Sequence, residues 1–182
     1  MNCIVSFSSR KSGNCGNIAE FIKNELPNSD VYSFADIQIS PCGNCNYECF
    51  RRREACPHFD DMEYRLLDTV CRSEAAYFVI PNYCDYPCSN FFIFNERSQC
   101  YFQGYPKLLD QYLNVPKKFI VVSNSISNNF RETFTQHSSC EPEILFLSAN
   151  KFGKSSISGD LLDSDEACLQ LKDFINGCST YD

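Results

Sequence analysis

The chain has 182 residues, 43% of them hydrophobic and 14% aromatic, enough for one domain with a full core, which excludes a disordered or fibrous class. A net charge of −7 argues against nucleic acid as a partner, and no apolar run approaches the ~20 residues of a membrane span. Thirteen cysteines, an odd number that cannot all pair within one chain, and an N-terminus without the basic and apolar regions of a signal peptide predict a reducing, cytoplasmic setting.

In chain order, Cys3 to Phe7 reads as a short strand running into a polar loop, Ser8-Ser9-Arg10-Lys11-Ser12-Gly13-Asn14. Ile18, Phe21, Ile22 and Leu26 then recur at helical spacing until Pro27 stops them. In an open α/β sheet this first turn lies at the carboxyl end of a strand, where the following helix offers unpaired N–H groups to an anion. A hydroxyl- and amide-rich loop carrying an arginine suits a terminal phosphate monoester; alternatively, Ser, Gly and Asn merely punctuate a connection. Neither G-x-x-x-x-G-K-[ST] nor G-x-G-x-x-G is present, which disfavours a nucleoside triphosphate or a dinucleotide.

Val31 to Phe34 and Ile37 to Ile39 predict a second strand leading into the cysteine-rich segment at 40–61. There Cys42, Cys45, Cys49 and Cys56 are spaced C-x2-C-x3-C-x6-C in one polar loop. Four thiolates this close in sequence converge on one centre at little loop-closure cost, which is what a metal or iron–sulfur site requires. Pro41 fixes the start of the loop. Two alternatives stand beside an iron–sulfur cluster. Disulfides between cysteines with only two residues between them are strained, and structural zinc usually takes two C-x2-4-C knuckles with a longer span between them.

Beyond the loop, Asp60-Asp61 predicts an N-cap for a helix carrying Met62, Leu66, Leu67 and Val70 up to Cys71. Ala75 to Ile80 is a continuous apolar run, as expected of a central parallel strand, ending at a loop of Pro81, Asn82 and Tyr83. A Phe-rich helix is predicted over Asp85 to Cys100, then a short one with Leu108, Leu109 and Leu113. Lys118 to Val122 is a fourth strand, followed by a polar loop, Ser123-Asn124-Ser125. After a weakly patterned stretch come a fifth strand, Ile144 to Leu147, and a last helix, Asp165 to Asn176. Five strands alternating with helices predict a single domain over 1–182, a three-layer α/β/α sandwich around a five-stranded parallel sheet. Its ligand is expected where the loops after the first, third and fourth strands meet.

The motifs, taken together, resemble the flavodoxin-like family of NAD(P)H-dependent FMN reductases, in its iron–sulfur flavoprotein branch. Ser8 to Cys15 is similar to the family's G-S-x-R-x-x-G-N-T flavin-phosphate loop, with Phe7 in place of the glycine and Cys15 of the threonine. The cysteine stretch through Asp60-Asp61-Met62 resembles P-C-x-x-C-x-x-C…C…D-D-M, with one extra residue before Cys49. Pro81-Asn82-Tyr83 matches P-x-Y, and Phe94-Asn95-Glu96-Arg97 stands where the family has F-x-D-R, Phe92 replacing its lysine.

The resemblance implies a flavodoxin-like fold and an FMN-dependent oxidoreductase. The FMN phosphate would lie on Ser8, Arg10, Ser12, Gly13, Asn14 and Cys15, and its ring against Pro81, Asn82 and Tyr83, with Asn124 and Ser125 near its polar edge. A [4Fe-4S] cluster is implied on Cys42, Cys45, Cys49 and Cys56, and NAD(P)H or a ferredoxin-like protein as electron donor. A homo-oligomer, dimer or tetramer, is implied as well. No side chain need act as acid or base, because the flavin carries the chemistry. The rival reading is a flavodoxin-like binding module without flavin, keeping a structural four-cysteine zinc site.

His58 and His137, the only histidines, lack a serine elbow and a carboxylate partner, so no hydrolytic triad is expected. Arg51-Arg52-Arg53 reads as a solvated turn, or else as a docking point for an acidic redox partner or a pyridine-nucleotide phosphate, and Cys84 and Cys88 read as small buried apolar residues before redox thiols. Phe91, Phe92 and Phe94 belong to the core or to a subunit interface.

Overall fold

In the computed structural model, which describes residues 1–43, 45–124 and 130–177, five parallel strands stand in the order β2-β1-β3-β5-β6. These are β1 (Asn2–Ser6), β2 (Ser29–Ser33), β3 (Ala76–Tyr83), β5 (Lys117–Ser123) and β6 (Glu143–Ser148). A two-residue strand, β4 (Tyr86–Pro87), pairs antiparallel with the end of β3. The chain moves outward one way from β1 to β2 and the other way from β3 onward, so the order reverses between β1 and β3. This is the flavodoxin-like topology, which opens its crevice at the carboxyl ends of those two strands.

Strand alternation divides the core in two. On one face Ile4, Tyr77, Val79, Ile120 and Val122 pack against α1 (Asn14–Glu25) and α6 (Asp165–Ile175). The alternate residues, Val5, Phe7, Phe78, Ile80, Phe119 and Val121, face α2 (Met62–Cys71), α3 (Ser89–Phe102), α4 (Pro106–Asn114) and α5 (Phe130–Thr135). This second layer is largely phenylalanine: Phe7 stacks on Phe34 at 5.0 Å between ring centroids, and Phe119 on Phe134 at 4.1 Å. Offset and edge contacts of this kind add ~0.5–1.5 kcal/mol each to the burial they accompany.

Helix α2 starts where its capping chemistry predicts, with the Asp61 side chain accepting from the Glu63 N–H at 3.0 Å. Three predicted boundaries move. The second strand runs over Ser29–Ser33 and excludes Ile37 to Ile39, because the N–H groups of Asp36 and Ile37 both turn back to the Ser33 carbonyl. Pro81 to Tyr83 belongs to β3 rather than to a loop, so the chain turns only at Cys84 and Asp85, whose φ values are 52° and 66°. Helix α3 accordingly begins at Ser89, not Asp85. The weakly patterned stretch contains α5, a six-residue helix held by the buried rings of Phe130 and Phe134. No helix among the described residues is long and apolar enough to cross a membrane.

Candidate functional site

The crevice forms where β1 hands over to α1. Leaving the strand, the chain turns the Phe7 ring down into the α2/α3 layer, fully buried among Phe34, Phe78, Phe91 and Phe94, so the bulk that replaces the motif glycine stays out of the cleft. The Phe7 carbonyl is held from below, accepting from Asn90 Nδ2 at 2.8 Å and from the Cys88 thiol at 3.3 Å. The buried Ser8 hydroxyl accepts from the Arg10 N–H at 3.2 Å, and Gly13 begins α1 without a side-chain cap. The orphan N–H groups of the first helical turn thus face the cleft, where an anion can satisfy them.

Eight of the predicted residues, Ser8, Arg10, Gly13, Asn14, Cys15, Pro81, Asn82 and Tyr83, line one cavity of about 30 Å³ at this point. Ser12 is exposed beside it, and Asn124 is exposed at the end of β5. Ser125 lies outside the described residues. Burial pushes the Cys15 thiol well above its ordinary range, so it stays neutral and adds no charge against an anion. Asn82 spans the top of the sheet, donating from Nδ2 to the Ser123 hydroxyl at 2.9 Å and accepting from the Asp85 N–H at 2.9 Å. Tyr83 stands half exposed at the rim.

The segment after β6 also reaches this site, which the sequence reading missed. Residues 155–161 lie across the first loop and are fastened by Asn14 and Asn17, more than 140 positions away, and by Asn124. Asn14 Nδ2 donates to the carbonyls of Ser155 and Ser156, both at 3.0 Å, while its Oδ1 accepts from the Leu161 N–H at 2.9 Å. Asn17 Nδ2 donates to the Gly159 carbonyl at 2.8 Å, and Asn124 Oδ1 accepts from the Ser156 N–H at 2.9 Å. Ser156 and Ile157 therefore become part of the cavity wall. The Ser- and Gly-rich run at 155–159, following a strand of the same sheet, was the signal available. The Asn14 carboxamide is fully engaged by this strap, which leaves the helix N-terminus, Ser8 and Arg10 as the donors turned to an anion.

The cysteine loop is organised from α3. Arg97, with no exposed surface, donates to the Ser40 carbonyl at 2.6 Å, to Asp61 Oδ2 at 2.7 Å and to the His58 carbonyl at 3.3 Å, gripping both ends of the segment at once. Glu63 Oε2 lies 3.6 Å from Arg97 Nε, and neither carboxylate oxygen has a hydrogen-bond partner. Burial pushes this carboxyl up to about 9 against the opposing pull of Arg97.

Within the loop, Cys49 and Cys56 are buried and Cys42 is partly buried against them, whereas half-exposed Cys45 is not among the packed sulfurs. The third buried member is Cys100 of α3. The described cysteines are all free thiols, and no group of three or more His, Cys, Asp or Glu side chains among the described residues is disposed to hold a single metal ion. As a donor set, four soft sulfurs in a dry satellite of the core suit iron or an iron–sulfur centre better than a hard cation.

The lesser sites resolve simply. His137 is buried, its Nδ1 2.8 Å from the Tyr112 hydroxyl, and burial lowers it to about 4, so it stays neutral. His58 is half buried, and Cys84 is exposed rather than buried, while Cys88 is buried as expected. Arg51 and Arg52 are solvated, but the Arg53 guanidinium lies 4.4 Å above the Tyr105 ring. Phe91 and Phe94 are core, and Phe92 is exposed.

No protein-family profile and no curated protein sequence matches the chain. Among solved structures its fold is similar to the Trp repressor binding protein from Bacillus subtilis, at 13% identity over 100% of both chains with a TM-score of 0.62. The flavoenzyme FerB from Paracoccus denitrificans, an NAD(P)H:(acceptor) oxidoreductase, is 11% identical over 96% of this chain and 94% of its own, with a TM-score of 0.53. The NADH:FMN oxidoreductase EMOB, in its apo form, is 11% identical over 99% and 90%, with a TM-score of 0.55. At identities this low the similarity is one of fold.

Proposed function

We propose that this protein is an FMN-dependent oxidoreductase, taking electrons from NAD(P)H or a ferredoxin-like donor and carrying a [4Fe-4S] cluster on its cysteine loop. The observation that carries the flavin reading is the meeting of Ser8, Arg10 and the uncapped start of α1 with Pro81, Asn82 and Tyr83 at one crevice, where the strand order reverses. Two of the structures similar in fold bear names that make them NAD(P)H or NADH oxidoreductases, one of them acting with FMN, and this supports the choice of cofactor and donor.

Ser8, Arg10, Ser12 and the N–H groups of Asn14 and Cys15 would hold the phosphate, with Gly13 allowing close approach of the backbone. Asn14 would act through its side chain by fastening the strap, and Pro81, Asn82, Tyr83, Asn124 and Ser125 would bound the ring. FMN held there supplies hydride and single-electron chemistry, and a cluster on the loop single-electron chemistry, so two-electron and one-electron traffic can be exchanged. The protein's own part is positioning, exclusion of water by the strap and supply of backbone donors. Exposed Tyr83, Tyr86 and Phe92 around the rim suit a subunit interface, in keeping with a homo-oligomer.

Titration of the flavin-free protein with FMN, followed by quenching of flavin fluorescence, tests this. One FMN per chain is expected. Arg10→Ala should weaken FMN about tenfold or more, the loss of a charge-assisted hydrogen bond, while leaving the weaker binding of riboflavin unchanged. A chain that binds neither flavin would end the redox reading.

A further inference from the structure

The sequence offers four loop cysteines for a metal centre, and in the fold three of them pack with another cysteine, Cys100, brought in by α3. A satellite cluster beneath the loop has Cys49, Cys56 and Cys100 as its buried members, with Cys42 and Phe59 packed against them. Satellite clusters under long loops are ordinarily built from aliphatic and aromatic side chains; here every buried member is a thiol. The Cys100 sulfur lies 3.4 Å from that of Cys49, with Cys56 in the same buried cluster and Cys42 packed against it.

Cys42, Cys49 and Cys100 also line a mostly enclosed cavity of about 130 Å³ beside the loop, bounded by Tyr47 and Phe50. Its shape is held from the same helix. Arg97, one turn before Cys100, binds the carbonyls on either side of the cysteine segment, so the loop is pinned in register with the helix that presents the additional sulfur.

We propose that Cys100 completes a thiolate centre with Cys42, Cys49 and Cys56, binding iron or an iron–sulfur cluster, and that Cys45 is not a ligand. This rests on the reading that the cysteine loop holds a metal. Each ligating thiol gives up its proton on binding. Binding ferrous iron alone changes no oxidation state, whereas a cubane cluster at its 2+ level is assembled from equal ferrous and ferric iron with sulfide, so that no electrons are left over.

The test is anaerobic reconstitution of the full chain with equal ferrous and ferric iron and sulfide, counting bound iron and sulfide and recording thiolate-to-iron absorption, for the natural protein, Cys45→Ser and Cys100→Ser. Cys45→Ser should keep the iron and the absorption, and Cys100→Ser should lose both while retaining its thermal unfolding transition. Loss in Cys45→Ser, or retention in both variants, overturns the assignment and leaves the metal-binding reading standing. If Cys100→Ser fails to fold, Cys45→Ser decides alone, retention supporting the proposal and loss overturning it. A natural chain that binds neither iron nor zinc removes both readings together.

Discussion

Arg97 is a cation in the core whose donors serve backbone as well as carboxylate. Its strongest partner is Asp61 at 2.7 Å, and the second carboxyl, Glu63, stands beside it without a hydrogen bond of its own. Replacing the guanidinium by an apolar chain leaves Asp61 and two loop carbonyls without their donor, so Arg97→Met should lower stability by about 3–5 kcal/mol in urea unfolding. Glu63 sets a pH dependence of definite sign. Its folded value, about 9, lies above its ordinary 4.5, so the contribution of the protonated carboxyl is complete below pH 4.5 and is lost as pH rises toward 9. Glu63→Gln should flatten that decline when unfolding free energies are compared between pH 5 and pH 9. His137 acts in the other sense: lowered from 6.5 to about 4, it favours the fold above pH 6.5 and withdraws that support as pH falls toward 4.

Among the elements, the strap at 155–161 has the clearest consequence. Asn14→Ala removes three hydrogen bonds from it, each worth about 1 kcal/mol, so a loss of roughly 2–3 kcal/mol in urea unfolding is expected, with weaker FMN binding in titration. Ser12→Ala, at an exposed position, should leave stability unchanged. How far these elements were legible depended on whether their cause was local. The start of α2 was readable because Asp61 and the 62–70 periodicity are both local signals. The end of β2 was not, because Ile37 and Ile39 look like strand residues and only the turn onto the Ser33 carbonyl removes them from the sheet. Pro81 looked like a strand breaker, yet it extends β3 against β5 in register with Val122. The strap and Cys100 were invisible for one reason: each reaches its partners through packing between segments distant in sequence.

For the whole molecule, the two-layer core accommodates both departures from the motif that the first loop resembles. Phe7 and Cys15 fall on opposite faces of the sheet, one in each half of the core, and neither adds charge to the crevice. The described cysteines are free thiols, most of them buried, and none forms a crosslink. A reducing agent added to metal-free protein should therefore leave the thermal midpoint unchanged, as scanning calorimetry would show, whereas removal of bound iron from the loaded protein should lower it.

Helix α3 touches both places where chemistry is proposed. Near its start Asn90 supports the Phe7 carbonyl under the crevice, and ten residues on, about 15 Å along the axis, it carries Cys100. A rigid rod fixed at both ends transmits displacement, so drawing the sulfurs inward around a metal would also shift the floor beneath the flavin loop. The iron content of a preparation would then govern how tightly it retains yellow colour on dialysis.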